Sequence, residues 1–249
     1  MRLLVSVTDA DEARVAVEGG VDIVDVKNPA EGALGAPGPG VIGRVREVVP
    51  PERPVSAAIG DLPNLPGTAA LAALGAARSG AAYVKAGLWG TSTMDEAVAV
   101  LRAVRDALDG GATVIAAAYA DAERVPSGPL PPGAVVAAAR SAGVGGCLLD
   151  TALKDGRGLF EWLTPEELAA LVAEGHAAGL DMALAGALRA DDLNVVRATG
   201  ADIAGVRSAA CREGRRTAPI DPQRIAELRA VCAACPRISR SRPSRVSKW

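Results

Sequence analysis

Short apolar runs alternate with longer Ala- and Leu-rich runs along most of the chain. The apolar runs are five to seven residues long, which is typical of strands that are buried on both faces. They predict strands at residues 2–7, 22–27, 54–59, 82–87, 113–119, 145–150, 181–185 and 203–207. The runs between them predict helices at residues 9–19, 39–49, 67–79, 93–109, 131–142, 164–175, 189–198 and 222–234. The Pro-rich segment 61–67 predicts a turn before the third helix.

The order of these elements predicts the fold class. Eight β/α units in succession favour an α/β protein with a single-domain (β/α)8 TIM barrel, a fold that typically needs about 250 residues. The chain has 249 residues. The alternative is an open, doubly wound sheet, but no G-x-G-x-x-G motif follows the first strand and the sequence has no P-loop. We therefore predict one catalytic barrel domain over residues 1–235.

Composition narrows the classes of function. Aromatic residues make up only 2% of the chain, so the core must be built from Ala, Val, Leu and Ile. The formal net charge of −2 argues against a general nucleic-acid or membrane-surface protein. No apolar run is long enough for a membrane span and the first residues lack a signal-peptide pattern, so we expect a cytoplasmic protein. Residues 236–249 hold five basic residues and no acid, which predicts a disordered basic tail.

The cysteine and histidine content argues against a metal site. The four cysteines are Cys147, Cys211, Cys232 and Cys235, and His176 is the single histidine. The Cys-x-x-Cys pair at 232–235 has no second pair of ligands elsewhere in the chain. We therefore predict reduced thiols and no bound metal. His176 falls near the end of a predicted helix, which favours a surface position over a role as a base.

Lysine is rare in this chain, and its placement is the clearest chemical signal. Of the 27 basic residues only four are lysine. Lys248 belongs to the tail, whereas Lys27, Lys85 and Lys154 stand at or just beyond the C-terminal ends of predicted strands. Active sites of (β/α)8 barrels lie at that end of the barrel. These amines are candidates for chemistry that a permanently charged guanidinium cannot perform.

Strand parity places charged side chains inside the predicted barrel. Lys27 and Asp25 share one face of the second strand, Lys85 lies on the fourth strand, and Asp150 ends the sixth. Alternate strands supply the same interior layer of a barrel, so these side chains are expected to converge at its top. Asp25 would lie one layer below Lys27, and Lys154 would be within reach on the loop after the sixth strand.

Two interpretations fit this cluster. The lysines and aspartates could fill the lumen as structural salt bridges, although buried ion pairs are costly to desolvate and stabilise weakly. Alternatively, amines that are held close together repel, and the repulsion lowers the pKa of at least one amine until it is neutral near pH 7. A neutral lysine can form a Schiff base with a carbonyl substrate, while the carboxylates hold the second amine charged or shuttle protons.

The loops after the last two predicted strands indicate a phosphate site. Gly186 permits close approach of the backbone, and Arg207 and Ser208 offer hydrogen-bond donors. Loops at these positions commonly bind phosphate in this fold, although small residues also suit tight turns. With lysines nearby, we predict a phosphorylated small-molecule substrate that is bound by Gly186, Arg207, Ser208 and, next to Lys27, Asn28.

Three motifs resemble one known family. The segments DIVDVKNPAEGALGA (22–36), YVKAGLWG (83–90) and LLDTALKDGRGLFEWL (148–163) closely resemble the (5-formylfuran-3-yl)methyl phosphate synthase family, and the likeness runs from residue 1 to about 235. The resemblance implies a (β/α)8 lyase of the class I aldolase type. Such an enzyme condenses two molecules of glyceraldehyde 3-phosphate to (5-formylfuran-3-yl)methyl phosphate, with loss of phosphate and water and without a cofactor.

The resemblance also implies residue roles. Lys27 would be the Schiff-base lysine and Lys85 the proton acceptor. The supporting positions of the family's site match Asp25, Asp150 and Lys154. Two alternatives stay open: a simpler class I aldolase that acts on a phosphorylated aldehyde or ketose, and a non-catalytic phosphate-binding barrel. The sequence also leaves open a homo-oligomer and the pathway that uses the product.

Overall fold

The computed structural model describes residues 1–233 of the chain. The segment predicted to be a basic tail, 236–249, lies outside the described residues, as does Cys235. The predicted domain boundary at residue 235 therefore stays a prediction.

Within residues 1–233, eight strands alternate with eight α-helices, and each lies where the sequence predicts it. The strands are β1 (Arg2–Val7), β2 (Ile23–Val26), β3 (Val55–Pro63), β4 (Tyr83–Gly90), β5 (Thr113–Tyr119), β6 (Gly146–Asp150), β7 (Asp181–Leu184) and β8 (Ile203–Val206). The helices are α1 (Ala10–Glu18), α2 (Pro39–Val48), α3 (Pro66–Arg78), α4 (Met94–Leu108), α5 (Val135–Ala142), α6 (Pro165–Ala177), α7 (Asp192–Ala198) and α8 (Pro222–Ala233). None of these helices is long and apolar enough to cross a bilayer.

The strands close into a barrel. Neighbouring strands pair in parallel in the order of the chain, and β1 pairs with β8 as well as with β2. Closure leaves no edge strand, whereas the alternative open sheet would have two. The predicted single-domain (β/α)8 TIM barrel is therefore confirmed.

One local prediction is wrong, because the segment 61–67 is not wholly a turn. Its first three residues extend β3, and the pairing with β4 becomes irregular where Asp61 lies opposite Gly87 and Pro63 opposite Gly90. Proline has no amide to donate and is tolerated at such irregular strand ends. Tyr119 donates its hydroxyl hydrogen to Asp61 beside this irregularity, and a Cβ at position 87 would clash with that hydroxyl.

Alternation along the strands separates an outer apolar layer from the lumen. On β2, Val24 and Val26 belong to the large core between strands and helices, whereas Ile23 and Asp25 line the lumen. Further apolar side chains that line the lumen come from other strands: Ile115, Leu148 and Ile203. On β2 the charged residues follow Ile23 in the chain, so the polar part of the lumen lies towards the C-terminal ends of the strands.

Candidate active site

Three lysines and two aspartates lie together at the C-terminal end of the barrel. Asp25 is on β2, Lys27 directly follows β2, and Lys85 is on β4. Asp150 ends β6, and Lys154 is on the loop after it. All five side chains line one cavity of about 250 Å³. The structure thus brings together the whole set of charged residues that parity and motif predict.

Lys85 forms a buried ion pair with Asp25. The Lys85 Nζ atom lies 2.7 Å from each oxygen of the Asp25 carboxylate. Asp25 Oδ2 also accepts a hydrogen bond from Ser6 Oγ at 2.8 Å, because the parallel register sets Ser6 beside Asp25. Asp25 is fully buried and Lys85 is 5% exposed. The carboxylate is therefore a fixed partner of the Lys85 amine.

Lys154 forms the second ion pair, with Asp150. The Lys154 Nζ atom lies 2.8 Å from Asp150 Oδ1 and also donates to the carbonyl of Thr151 at 2.6 Å. Burial disfavours the Asp150 carboxylate, but the charges of Lys154 and Lys27 and the hydrogen bonds outweigh this effect and lower its pKa to about 2. Asp150 therefore stays ionised at neutral pH.

Lys27 is the amine of the three that has no ion-pair partner within residues 1–233. It is 7% exposed. Burial lowers the pKa of Lys27 to about 7; the charges of Lys154 and Lys85 act in the same direction, and those of Asp150 and Asp25 oppose them. Burial is thus a larger cause than the repulsion between amines on which the sequence interpretation relied. Near pH 7 a large fraction of Lys27 is neutral and nucleophilic.

The low pKa of Lys27 predicts that stability depends on pH. The folded protein binds this proton with a pKa of about 7, whereas the ordinary value is 10.5. The buried Lys27 ammonium therefore destabilises the folded state by the full amount below pH 7, and this destabilisation disappears as the pH rises to 10.5. A shift of this size corresponds to about 5 kcal/mol. We expect Lys27→Met to raise the free energy of unfolding by up to that amount at pH 6, with a gain that shrinks as the pH rises.

Urea denaturation of both proteins across this pH range measures the difference. Lys154→Met is the matched control, because Lys154 is ion-paired and its loss deprives buried Asp150 of a counter-charge. We expect this control to be less stable than the wild type. A Lys27→Met protein that is less stable than the wild type at pH 6 would contradict the description of Lys27 as a desolvated, unpaired amine.

Asp121 supports the loop that carries Lys154, and it is absent from the predicted set. Its carboxylate is 1% exposed and accepts hydrogen bonds from the amides of Ala152 at 2.6 Å and Leu153 at 2.8 Å. These bonds fix the chain between Asp150 and Lys154. The available signal was an acidic residue just beyond the end of β5, the same kind of position that drew attention to the lysines.

Gly186 and Ser208 lie where a phosphate site was expected. Both line the cavity, Gly186 after β7 and Ser208 after β8. Gly186 has a φ of 107°, which glycine adopts without strain, and a Cβ atom there would approach Thr151 Cγ2 to 3.1 Å. The position therefore requires glycine, both for its backbone conformation and for its packing. This close packing brings the loop after β7 against the loop after β6.

Asn28 does not line the cavity. Its side chain caps the short 3-10 turn Pro29–Glu31, where Oδ1 accepts from the amide of Ala30 at 3.1 Å and Nδ2 donates to Glu31 at 2.9 Å. Both polar atoms of the side chain thus serve the local turn. The structure does not bring Asn28 together with the other predicted site residues.

Arg207 lines the cavity, but its guanidinium is already engaged. It forms a buried ion pair with Glu12 of α1 and donates to the carbonyl of Ser6 at 2.9 Å. A buried guanidinium requires such a counter-charge, because an unpaired charge is strongly disfavoured away from water. Arg207 therefore does not present the free donors that its position in the sequence suggests.

The described residues contain no cluster that resembles a metal site. Within residues 1–233, no three His, Cys, Asp or Glu side chains are grouped as ligands for a metal ion. Cys147, Cys211 and Cys232 are buried and unbridged. His176 lies in the last turn of α6, where its Nε2 atom is 2.9 Å from a carboxylate oxygen of Asp202.

Comparison with known proteins identifies close relatives. The family model for 4-HFC-P synthase matches residues 3–229 of the chain. The (5-formylfuran-3-yl)methyl phosphate synthase of Methanocaldococcus jannaschii is 48% identical over 237 residues, which cover 93% of this chain and 100% of that protein. The protein of the same name from Methanopyrus kandleri is 51% identical over 218 residues, which cover 86% of this chain and 91% of that protein.

Solved structures of lower identity share the fold. Phosphoribosyl anthranilate isomerase from Thermococcus kodakaraensis superposes with a TM-score of 0.62 at 20% identity, covering 93% of this chain and 98% of that one. The 3-hexulose-6-phosphate synthase of Salmonella typhimurium gives a TM-score of 0.61 at 19% identity, covering 92% and 98%. At such identity the likeness concerns the barrel fold alone.

Proposed function

The chain belongs to the (5-formylfuran-3-yl)methyl phosphate synthase family, and we propose that it is a carbon–oxygen lyase that makes this furan from two molecules of glyceraldehyde 3-phosphate. The names of the relatives imply an enzyme. The cavity at the C-terminal end of the barrel is the proposed site.

The observation that carries the proposal is the difference between the environments of the three lysines. Two of the amines are ion-paired, Lys85 with Asp25 and Lys154 with Asp150, while Lys27 is buried and unpaired. Burial brings the pKa of Lys27 to about 7. A purely structural charge cluster has no need of an unneutralised amine, whereas a lysine that attacks a carbonyl must be neutral.

The first proposed step joins Lys27 to a triose phosphate. The Lys27 Nζ atom attacks the carbonyl carbon, and the resulting carbinolamine loses water to give a protonated imine. Lys154 lies next to ionised Asp150 in the same cavity and can supply the proton for the departing hydroxyl. Asp150 then faces the new cationic imine and stabilises its charge.

The second proposed step forms the carbon–carbon bond. The protonated imine acidifies the carbon beside it, and Lys85 accepts the proton that this carbon releases. Lys85 can do so once its own proton has moved to Asp25 across their 2.7 Å contact. The resulting enamine expels the phosphate of this triose, which leaves with the electron pair of its carbon–oxygen bond. The enol that remains attacks the keto carbon of the second triose phosphate, which has first isomerised to its ketose form by proton transfer.

The remaining proposed steps turn this adduct into an aromatic ring. A hydroxyl group closes the ring on a carbonyl carbon, two water molecules are lost, and hydrolysis of the imine returns free Lys27. The balance is two triose phosphates in, and one furan phosphate, one phosphate and two waters out. The loops that carry Gly186 and Ser208 supply backbone and hydroxyl donors for the phosphate that the product retains.

Incubation of the pure protein with glyceraldehyde 3-phosphate tests the proposal. We expect mass spectrometry to detect a furan aldehyde phosphate that absorbs in the ultraviolet, with one inorganic phosphate released for every two triose phosphates consumed. A sugar phosphate without phosphate release would instead indicate a simpler class I aldolase. No product and no borohydride-trapped adduct would indicate a non-catalytic binding barrel.

A further inference from the structure

A closed loop between β8 and α8 carries a cationic side chain into the cavity. Cys211 and Ile220 pair in an antiparallel bridge at the base of the loop, and the amide of Arg212 donates to the carbonyl of Pro219 at 3.0 Å. Arg216 lies within this loop, and its side chain lines the cavity. The paired base gives the loop a defined position relative to the barrel.

Arg207 ties this loop to the barrel wall. Its Nε atom donates to the main-chain carbonyl of Arg216 at 3.1 Å, while the rest of the guanidinium contacts Glu12 and the carbonyl of Ser6. Four of the five N–H donors of Arg207 are used in this way. Arg207 thus holds the backbone at position 216 in place without engaging the Arg216 side chain.

Arg216 differs from the other arginines that line the cavity. Arg207 is paired with Glu12, and Arg157 lies 2.7 Å from Asp155. Within residues 1–233, no carboxylate lies at ion-pair distance from Arg216. Its one hydrogen bond runs from Nη2 to the carbonyl of Gly32 at 3.3 Å, so most of its donors are unused.

The surroundings of Arg216 favour an anion. The side chain is half-buried, and burial lowers its pKa; the charge of Arg207 acts in the same direction, whereas those of Asp150 and Asp61 oppose it. A partly desolvated guanidinium that has no carboxylate at ion-pair distance is stabilised by a bound anion. Phosphate matches the planar fork of arginine with two parallel hydrogen bonds.

We propose that Arg216 binds a phosphate group of the substrate, at a position separate from the backbone and hydroxyl donors of Gly186 and Ser208. The inference deepens the proposed function and rests on it in one respect, because two triose phosphates bring two phosphate groups of which only one is retained. Two anion positions are therefore needed in one cavity. The Arg216 guanidinium, which has no ion-pair partner within residues 1–233, supplies the second position.

Calorimetric titration with inorganic phosphate tests the inference without any turnover. We expect Arg216→Met to weaken phosphate binding by about 10- to 100-fold, as expected for the loss of charge-assisted hydrogen bonds. Arg216→Lys should lie between this variant and the wild type, because a lysine keeps the charge but lacks the fork. Arg215→Met is the matched control: it removes the same charge from the same loop, but Arg215 is exposed, pairs with Glu213 and does not line the cavity. We expect the control to bind phosphate as the wild type does.

A second measurement separates this inference from the proposed function. Borohydride trapping with glyceraldehyde, which has no phosphate, should be equal in wild type and Arg216→Met, whereas trapping with glyceraldehyde 3-phosphate should need a higher substrate concentration in the variant. Equal phosphate affinity in the two proteins, or a wild type that binds no phosphate, would overturn the role of Arg216. Weakened phosphate binding in a protein that forms no furan would instead retain the anion site and reject the proposed reaction.

Discussion

A Lys27→Met protein is expected to form no furan and no borohydride adduct with triose phosphate. Lys27 is the one unpaired amine of the three in the cavity, and methionine fills similar space without a nucleophilic nitrogen. Loss of a nucleophile that acts within a catalytic unit typically lowers the rate by about 10⁴-fold or more. Product formation and the mass of the peptide that contains residue 27, measured after reduction, check this expectation.

The variant is also its own folding control. Because Lys27 is a buried amine with a lowered pKa, its replacement should leave a protein that is folded and more stable at neutral pH, so inactivity cannot be assigned to unfolding. In the wild type, reduction should add the mass of the substrate to the Lys27 peptide. Labelling confined to Lys85 or Lys154, with Lys27 unmodified, would overturn the assignment of the nucleophile.

Lys85→Arg is expected to lower kcat for furan formation by about 10²–10⁴-fold, the usual range for loss of a general base. Arginine keeps the charge and can pair with the Asp25 carboxylate through two hydrogen bonds. A guanidinium nevertheless stays protonated at any working pH and cannot accept the proton beside the imine. The substitution thus separates proton acceptance by Lys85 from its ion pair with Asp25.

Two readouts make this test specific to proton transfer. The Lys27 imine should still be trapped by borohydride in the Lys85→Arg protein, because Lys85 is proposed to act after the imine forms. Exchange of substrate hydrogen with deuterium from solvent should fall in parallel with kcat. Near-normal turnover and exchange in this variant would revive the interpretation of Lys85 and Asp25 as a structural salt bridge.

The parts of the molecule that follow from local periodicity could be predicted from the sequence. Alternation along a strand decides which side chains face the lumen, so residues two apart, such as Asp25 and Lys27, appear on the same side of β2. The same reasoning gives the eight β/α units and the barrel. It does not give the extension of β3 to Pro63, because an irregular strand end depends on its neighbour and not on its own pattern.

Contacts between distant residues could not be predicted in this way. Arg207 was expected to offer free donors, but its partner Glu12 lies 195 positions away, and nothing in either local sequence connects them. Arg216 belongs to an Arg-rich segment that also holds Arg212 and Arg215, and the sequence does not indicate which side chain faces the cavity. The importance of burial for Lys27 likewise depends on the depth of the finished cavity.

The burial of an unpaired lysine affects which mutations at position 27 selection for stability would favour. Replacement of Lys27 by an apolar residue of similar size is expected to stabilise the chain and, on the proposed function, to abolish its activity, so selection for stability alone would discard this lysine. The retention of a destabilising lysine therefore accords with the proposed catalytic role of Lys27. On the proposed function, a mutant library screened only for heat tolerance should become enriched in inactive variants at position 27, and thermal screens of this barrel need a simultaneous selection for turnover.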